Sequence, residues 1–212
     1  YNKKALSQVI HLGFDNSSSI FCDKLNLNLN KNLNIIYAGS LSYNYDIKCL
    51  LNVIETIKKK HIDQKIYFHI AGDGIFKKDF LKLEKVYGDR VKYYGNLDKK
   101  SLYNLYQKMD ASLCIYDKDT LISFPAKLFE LIFHYLPIIN SLKGEVEELI
   151  LSKNIGFNYV AGNTDSLLNA ILELNNNKEV LNKFKKNMFG IKRNYSVKVQ
   201  YERFNNLILN LN

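Results

Sequence analysis

From residue 33 onward, short, apolar, β-prone runs alternate with longer runs of helical period, the pattern of an α/β domain built on a parallel sheet. Six runs read as strands: NIIYAG (34–39), KIYFHIAG (65–72), RVKYYG (90–95), ASLCIY (111–116), PIIN (137–140) and GFNYV (156–160). The first three end in glycine. Helices are expected to start near Asp46, Ile75, Asp98, Pro125, Gly144 and Asn163. Asp98 and Asn163 suit the N-cap role, since their side-chain oxygens can accept from first-turn amides. Three helical segments, 164–174, 177–188 and 196–211, follow the last strand. Residues 1–32 read differently: ALSQVIHLGFD suggests a short strand and turn, and CDKLNLNLNKN a polar linker. The compact unit is expected over 33–212, with 1–32 a remnant of an upstream domain and hinge.

With 47% hydrophobic residues in 212, the chain can bury a sizeable core. Its net charge of +9 favours anionic partners such as phosphate esters, nucleic acid or a membrane surface. A compositional bias toward Asn, Lys and Ile produces the same excess without any such partner. Cys22, Cys49 and Cys114 are far apart and in no Cys-x-x-Cys pairing, which supports neither a disulfide framework nor a zinc site and fits a reducing cytoplasm. No secretion signal is visible, and the chain starts at Tyr1, as expected of a fragment. The most apolar stretch, LFELIFHYLPII, is too short for a membrane span. The basic cluster KFKKNMFGIKRN reads either as a peripheral contact with anionic lipid or as an ordinary solvated helix face.

In an open parallel sheet, ligands bind beyond the carboxyl ends of the strands, so the loops there are informative. In YAGSLS, Gly39 permits close backbone approach and Ser40 can donate a hydrogen bond. In AGDGIF, Gly72 and Gly74 flank Asp73, but the third glycine of a nicotinamide dinucleotide fingerprint is missing. In FPAKLFELIFHYLP, Pro125 suits a first helical turn, so the free amides of Ala126 and Lys127 make an anion site to which Lys127 adds charge. Glu130 lies among Leu128, Phe129, Leu131, Ile132 and Phe133. It either accepts from a ribose diol or forms an ion pair with Lys127 at helical spacing. Structural roles suit His69 and His134, and a solvated one His61.

The stretches YAGSLSYNYDI, FHIAGDG, VKYYGNLDKKSLYNLYQKMDASLCIY, FPAKLFELIFHYLPIIN and GEVEELILSKNIGFNYV, in that order, resemble the C-terminal, donor-binding domain of GT-B fold glycosyltransferases, particularly family 4. VIHLGFD is similar to the hinge that precedes that domain. The resemblance implies a Rossmann-like parallel sheet of about six strands flanked by helices, one half of a GT-B architecture. It further implies a nucleoside diphosphate sugar donor, with UDP more frequent than GDP, and transfer with retention to a glycan or lipid-linked acceptor. No cofactor or essential metal is implied, nor any nucleic-acid partner. Glu130 matches the carboxylate that holds the ribose hydroxyls, and Ser123 and Pro125, Ala126, Lys127 and Leu128 the turn whose backbone meets the diphosphate. Gly39, Ser40 and Leu41 match the loop across the cleft, Gly72, Asp73 and Gly74 the loop under the nucleoside, and Gly95, Asn96 and Leu97 the segment beside the base.

The departures carry information too. Ile122 stands where many relatives place a sugar-contacting Glu, and Ser40 and Tyr45 where they place a basic diphosphate clamp. A nucleotide-sugar epimerase of the same fold and a binding-only relative therefore remain alternatives, with Ile122 counting against the epimerase. A receiver-type regulatory domain would need acidic clusters where the strands here end in YAGS and YYGN. Tyr135 occupies the position of a helix-ending glycine, so that helix is expected to end differently. The residues that activate the acceptor would lie in an N-terminal domain, without which the fragment is expected to be inactive.

Overall fold

The computed structural model describes residues 10–14, 27, 32–60 and 65–209. Six parallel strands form one sheet in the order β3-β2-β1-β4-β5-β6. They are β1 (Leu33–Ala38), β2 (Ile66–Ala71), β3 (Val91–Gly95), β4 (Ala111–Cys114), β5 (Ile138–Asn140) and β6 (Gly156–Asn158). Between and after them run α1 (Ile47–Lys59), α2 (Lys77–Tyr87), α3 (Lys99–Tyr106), α4 (Lys127–Phe133), α5 (Glu145–Lys153), α6 (Thr164–Asn176), α7 (Lys178–Ile191) and α8 (Val197–Leu209). β1 and β4 are buried almost without interruption, as central parallel strands must be when helices cover both faces of the sheet. One apolar cluster carries Ile35, Leu50, Phe80 and Ile171, and the other carries Ile36, Leu128, Ile132 and Val146. The strand order reverses between β1 and β4, which opens a crevice at the carboxyl edge of the sheet.

All six expected strands are present; β1 is shifted one residue toward the N-terminus and the other five are shorter than expected. β4 stops at Cys114 rather than Tyr116, because the Ser141 hydroxyl takes over the ladder: it accepts from Tyr116 N at 2.7 Å and donates to Tyr116 O at 2.9 Å. Asp98 and Asn163 cap their helices, accepting from the amides of Ser101 (2.8 Å) and Ser166 (2.9 Å). α2 and α4 each begin two residues later than the sequence suggests, at Lys77 and Lys127.

The end of α4 corrects one expectation. Tyr135 takes the left-handed conformation (φ 56°) that a glycine would take, and the helix closes in a Schellman motif, with Tyr135 N on Ile132 O and Leu136 N on Leu131 O. Packing holds the side chain in this disfavoured region: Tyr135 is buried, its ring lies 5.5 Å from that of Phe189, and its hydroxyl accepts from Lys192 Nζ at 2.9 Å.

Most of 1–32, including Cys22, lies outside the described residues, as does His61. Within 10–14 the expected strand reduces to one parallel bridge, Phe14 with Ser196. Phe14 N donates to Tyr195 O at 2.8 Å and the Phe14 ring stacks on Phe133 at 4.4 Å. The basic cluster is also not a uniformly wet face: Lys185 is buried against Asp110, and Lys192 is engaged with Tyr135. Among the described residues no helix is long and apolar enough to cross a membrane.

Candidate functional site

Beyond the carboxyl ends of β1, β2 and β3, the chain continues the sheet's hydrogen bonding through its loops. Gly39 N donates to Ala71 O (2.9 Å), Leu41 N to Asp73 O (2.9 Å) and Gly72 N to Gly95 O (2.7 Å). This zipper accounts for two of the glycines. A Cβ on Gly72 would stand 1.8 Å from Gly39 O, and one on Gly74 would stand 2.4 Å from Leu41 O, both at positive φ. The resemblance matched Gly72 and Gly74 to the loop under the nucleoside, and the backbone nearest each is that of the neighbouring loop. Tyr93 fixes the second loop from below, its hydroxyl donating to Gly72 O at 2.9 Å.

These loops and α4 enclose a cleft of about 460 Å³. Gly39, Ser40, Gly72, Asp73, Asn96, Leu97, Lys127 and Glu130 line it. The other predicted positions do not. Leu41 and Leu128 are wholly buried in the core, Pro125 is buried, and Gly74, Gly95, Ser123 and Ala126 do not border the cleft. α4 has only seven residues and starts at Lys127, so little helix dipole is available and positive charge at the cleft falls to the Lys127 side chain.

Lys127 and Glu130 both open on this cleft, three residues apart, yet they form no ion pair. The Lys127 ammonium is buried with no hydrogen-bond partner among the described residues. Burial lowers its pKa from the usual value, an effect opposed by Cys114 and Glu130. Glu130 is half-buried, and its Oε1 accepts one long hydrogen bond, 3.4 Å, from the Tyr103 hydroxyl. Burial raises its pKa, against the pull of Tyr103, Lys99 and Lys127. An amine and a carboxylate are thus held in one cleft with unused hydrogen-bonding capacity. Asp73, at the mouth, is satisfied locally by Gly74 N (2.8 Å) and Lys77 Nζ (3.3 Å), and these contacts lower its pKa.

Sequence reasoning missed the contribution of α3. Leu102 and Tyr106 line the cleft, and Tyr103 reaches Glu130. The signal was in SLYNLYQ, whose apolar residues recur at helical spacing and turn Leu102 and Tyr106 to one side. His69 is engaged on both nitrogens, Nδ1 with Tyr94 Oη (2.9 Å) and Nε2 with Asn34 Oδ1 (3.2 Å), and burial holds its pKa down to about 4. His134 packs between Tyr103 and Tyr106, also with its pKa lowered to about 4 by burial. A larger cleft, about 900 Å³, lies beside Asp46, but that carboxylate already accepts from Tyr159 Oη (2.9 Å) and Gly162 N (2.7 Å).

A six-stranded parallel sheet with this order and a cleft at its reversal is the fold of one half of a GT-B glycosyltransferase. The chain belongs to the family described as glycosyl transferases group 1, which it matches over residues 22–189. No curated protein matches it by sequence. Among solved structures it is similar to sucrose-phosphate synthase from Thermosynechococcus elongatus, with TM-score 0.72 and 17% identity over 96% of this chain and 52% of that one. It is similar also to HepE of Anabaena in complex with UDP-glucose, with TM-score 0.70 and 18% identity over 96% of this chain and 57% of that one. A third is a mutant of S. aureus TarM in complex with fondaparinux, α-GlcNAc-glycerol and UDP, with TM-score 0.67 and 18% identity over 87% of this chain and 37% of that one. The chain therefore spans between about a third and somewhat over half of these proteins' lengths.

Proposed function

We propose that this chain is the donor-binding half, over residues 33–212, of a family 4-like glycosyltransferase that binds a nucleoside diphosphate sugar, UDP-linked by preference. Its transfer would proceed with retention and without an essential metal to a glycan or lipid-linked acceptor held by an N-terminal domain. One observation carries this reading: the Lys127 ammonium and the Glu130 carboxylate share a cleft without pairing, an arrangement costly for a fold unless a ligand completes it. A nucleoside diphosphate offers what each lacks. Its phosphate oxygens accept from Lys127, and its ribose hydroxyls donate to Glu130. The charge on a departing diphosphate would then be met by a preorganised ammonium in a partly dry site, which is where such stabilisation is most effective. The complexes of HepE with UDP-glucose and of TarM with UDP support the choice of nucleotide. A cytoplasmic location follows the same reading. Of the basic residues considered for lipid contact, Lys183, Lys186 and Arg193 are the exposed ones.

Titration calorimetry of the 212-residue chain with UDP and with uridine tests the proposal. UDP is expected to bind at least tenfold more tightly, because the diphosphate adds charge-assisted hydrogen bonds worth about 1.5–3 kcal/mol each. Equal affinities would remove the diphosphate from this cleft. Transfer of sugar by the chain alone would contradict the expected need for a second domain.

A further inference from the structure

The surroundings of Lys127 hold more than a phosphate contact requires. Its ammonium stands over the Tyr37 ring at 4.9 Å and over the Tyr45 ring at 5.8 Å. The two rings meet edge to face at 6.2 Å, and Tyr45 packs in turn on Tyr116 at 4.9 Å. Tyr37 is locked from its other end, its hydroxyl donating to Ser40 O at 2.6 Å. A Cβ on Gly39 would lie 3.0 Å from Lys127 Nζ, so the ammonium rests against the backbone of the first loop.

We propose that Tyr37 and Tyr45 form an aromatic ledge that positions the Lys127 ammonium for the anionic group of a nucleoside diphosphate, the ledge acting through Lys127. The inference rests on the nucleotide reading above. A buried ammonium needs a partner to offset its lost hydration, but a carboxylate partner would neutralise it and compete with an incoming phosphate. The faces of two tyrosines attract the cation without cancelling its charge, and they leave its N–H groups free for an anion. The ledge also accounts for the missing clamp. A basic residue at Tyr45 would face Lys127 at close range and repel it, whereas an aromatic ring there holds it.

The titratable groups around Lys127 are Tyr37 on β1, Tyr45 ahead of α1, Cys114 on β4 and Glu130 on α4, with Tyr116 behind Tyr45. Burial pushes the Cys114 thiol up to about 11 and the Tyr37 hydroxyl upward, so neither supplies a counter-charge near neutral pH. Because a π face favours the charged amine, removing it lowers the pKa of Lys127 further, and UDP affinity falls off at a lower pH.

The experiment uses Tyr45, since Tyr37 is wholly buried and its replacement risks the fold. UDP and uridine are titrated across pH into the parent chain, Tyr45→Leu and Tyr45→Phe, each also combined with Lys127→Met, and every variant is melted. Tyr45→Leu is expected to weaken UDP roughly three- to tenfold, leave uridine unchanged and move the alkaline fall in UDP affinity to lower pH. Tyr45→Phe is expected to restore both the UDP affinity and the pH of its alkaline fall, and the Leu effect should vanish when Lys127 is Met. Unchanged UDP affinity in Tyr45→Leu, an equal loss for uridine, or a loss that persists without Lys127 would overturn the ledge while leaving the nucleotide reading intact. A parent chain that binds UDP no better than uridine would overturn that reading and the ledge together.

Discussion

At the amino edge of the sheet, Asp110 and Lys185 are buried together; at the carboxyl edge, Lys127 and Glu130 share a cleft and are left apart. Asp110 Oδ2 accepts from Asn34 N at 2.8 Å and Asn34 Nδ2 at 3.1 Å, and its Oδ1 receives Lys185 Nζ at 3.5 Å. Asn34 passes the network on to His69 and Tyr94. That network is closed: each charge is answered inside the fold and ties α7 to β1 and β4. The carboxyl edge is open. Burial penalises both of its charges, and among the described residues the direct contacts that reach them are tyrosine faces at Lys127 and one long hydrogen bond at Glu130. On the proposed reading, the difference separates charge kept for structure from charge kept for a ligand, and the two predict opposite responses to mutation.

The largest expected effect is at the closed edge. Asp110→Ala removes the buried carboxylate that faces the Lys185 ammonium, which costs about 3–5 kcal/mol of folding stability by the usual behaviour of broken buried pairs. Urea unfolding reads the loss. UDP affinity of the folded fraction should be unmoved. A loss below about 1 kcal/mol would mean that the 3.5 Å contact with Lys185 is weak and that the network is held by Asn34 alone.

How far this contrast is legible in the sequence depends on what sets each feature. Strand runs such as NIIYAG and ASLCIY announce themselves because continuous burial demands continuous apolar residues. Asp98 and Asn163 are equally legible, since a cap acts within three residues. Lys127 and Glu130 were identifiable as charges in an apolar helix, but their spacing suited an ion pair as well as a ligand, and the packing of Tyr37, Tyr45 and Tyr103 that leaves them without an ion pair is not written in that spacing. Lys185 was misread with its basic neighbours because its partner, Asp110, is 75 residues away. Gly72 and Gly74 were placed beneath the nucleoside through the resemblance alone, and the loop-to-loop contact that leaves no room for a Cβ at either has no local pattern in the sequence.

The second prediction sharpens the comparison from the open side. Lys127→Met keeps the bulk of the side chain and removes an ammonium that has no hydrogen-bond partner among the described residues. Folding stability should hold or rise, where the equivalent change at a closed network would lower it. UDP affinity should fall tenfold or more, with uridine little changed. Thermal melting and calorimetry on one preparation check both. A loss of stability comparable to that of Asp110→Ala would erase the distinction between the two edges.

The smallest and most discriminating effect is expected for Glu130→Gln. Burial holds the Glu130 pKa above its usual 4.5, so the folded state prefers the protonated acid. This contribution to stability is complete below the unfolded value and is lost as pH rises through the raised folded value. Glutamine is neutral throughout and escapes that loss, so the variant should match the parent in acid and melt slightly above it near neutral pH. Its nucleotide affinity should move the other way, falling about tenfold as a charge-assisted acceptor becomes a neutral amide. The parent should prefer UDP to its 2'-deoxy analogue by a similar factor, and the variant should lose that preference, since Glu130 is where the ribose hydroxyls are expected to donate. If the variant instead melts early while the parent binds both nucleotides alike, the 3.4 Å bond from Tyr103 is the purpose of Glu130, and this carboxylate belongs with Asp110 among the structural charges.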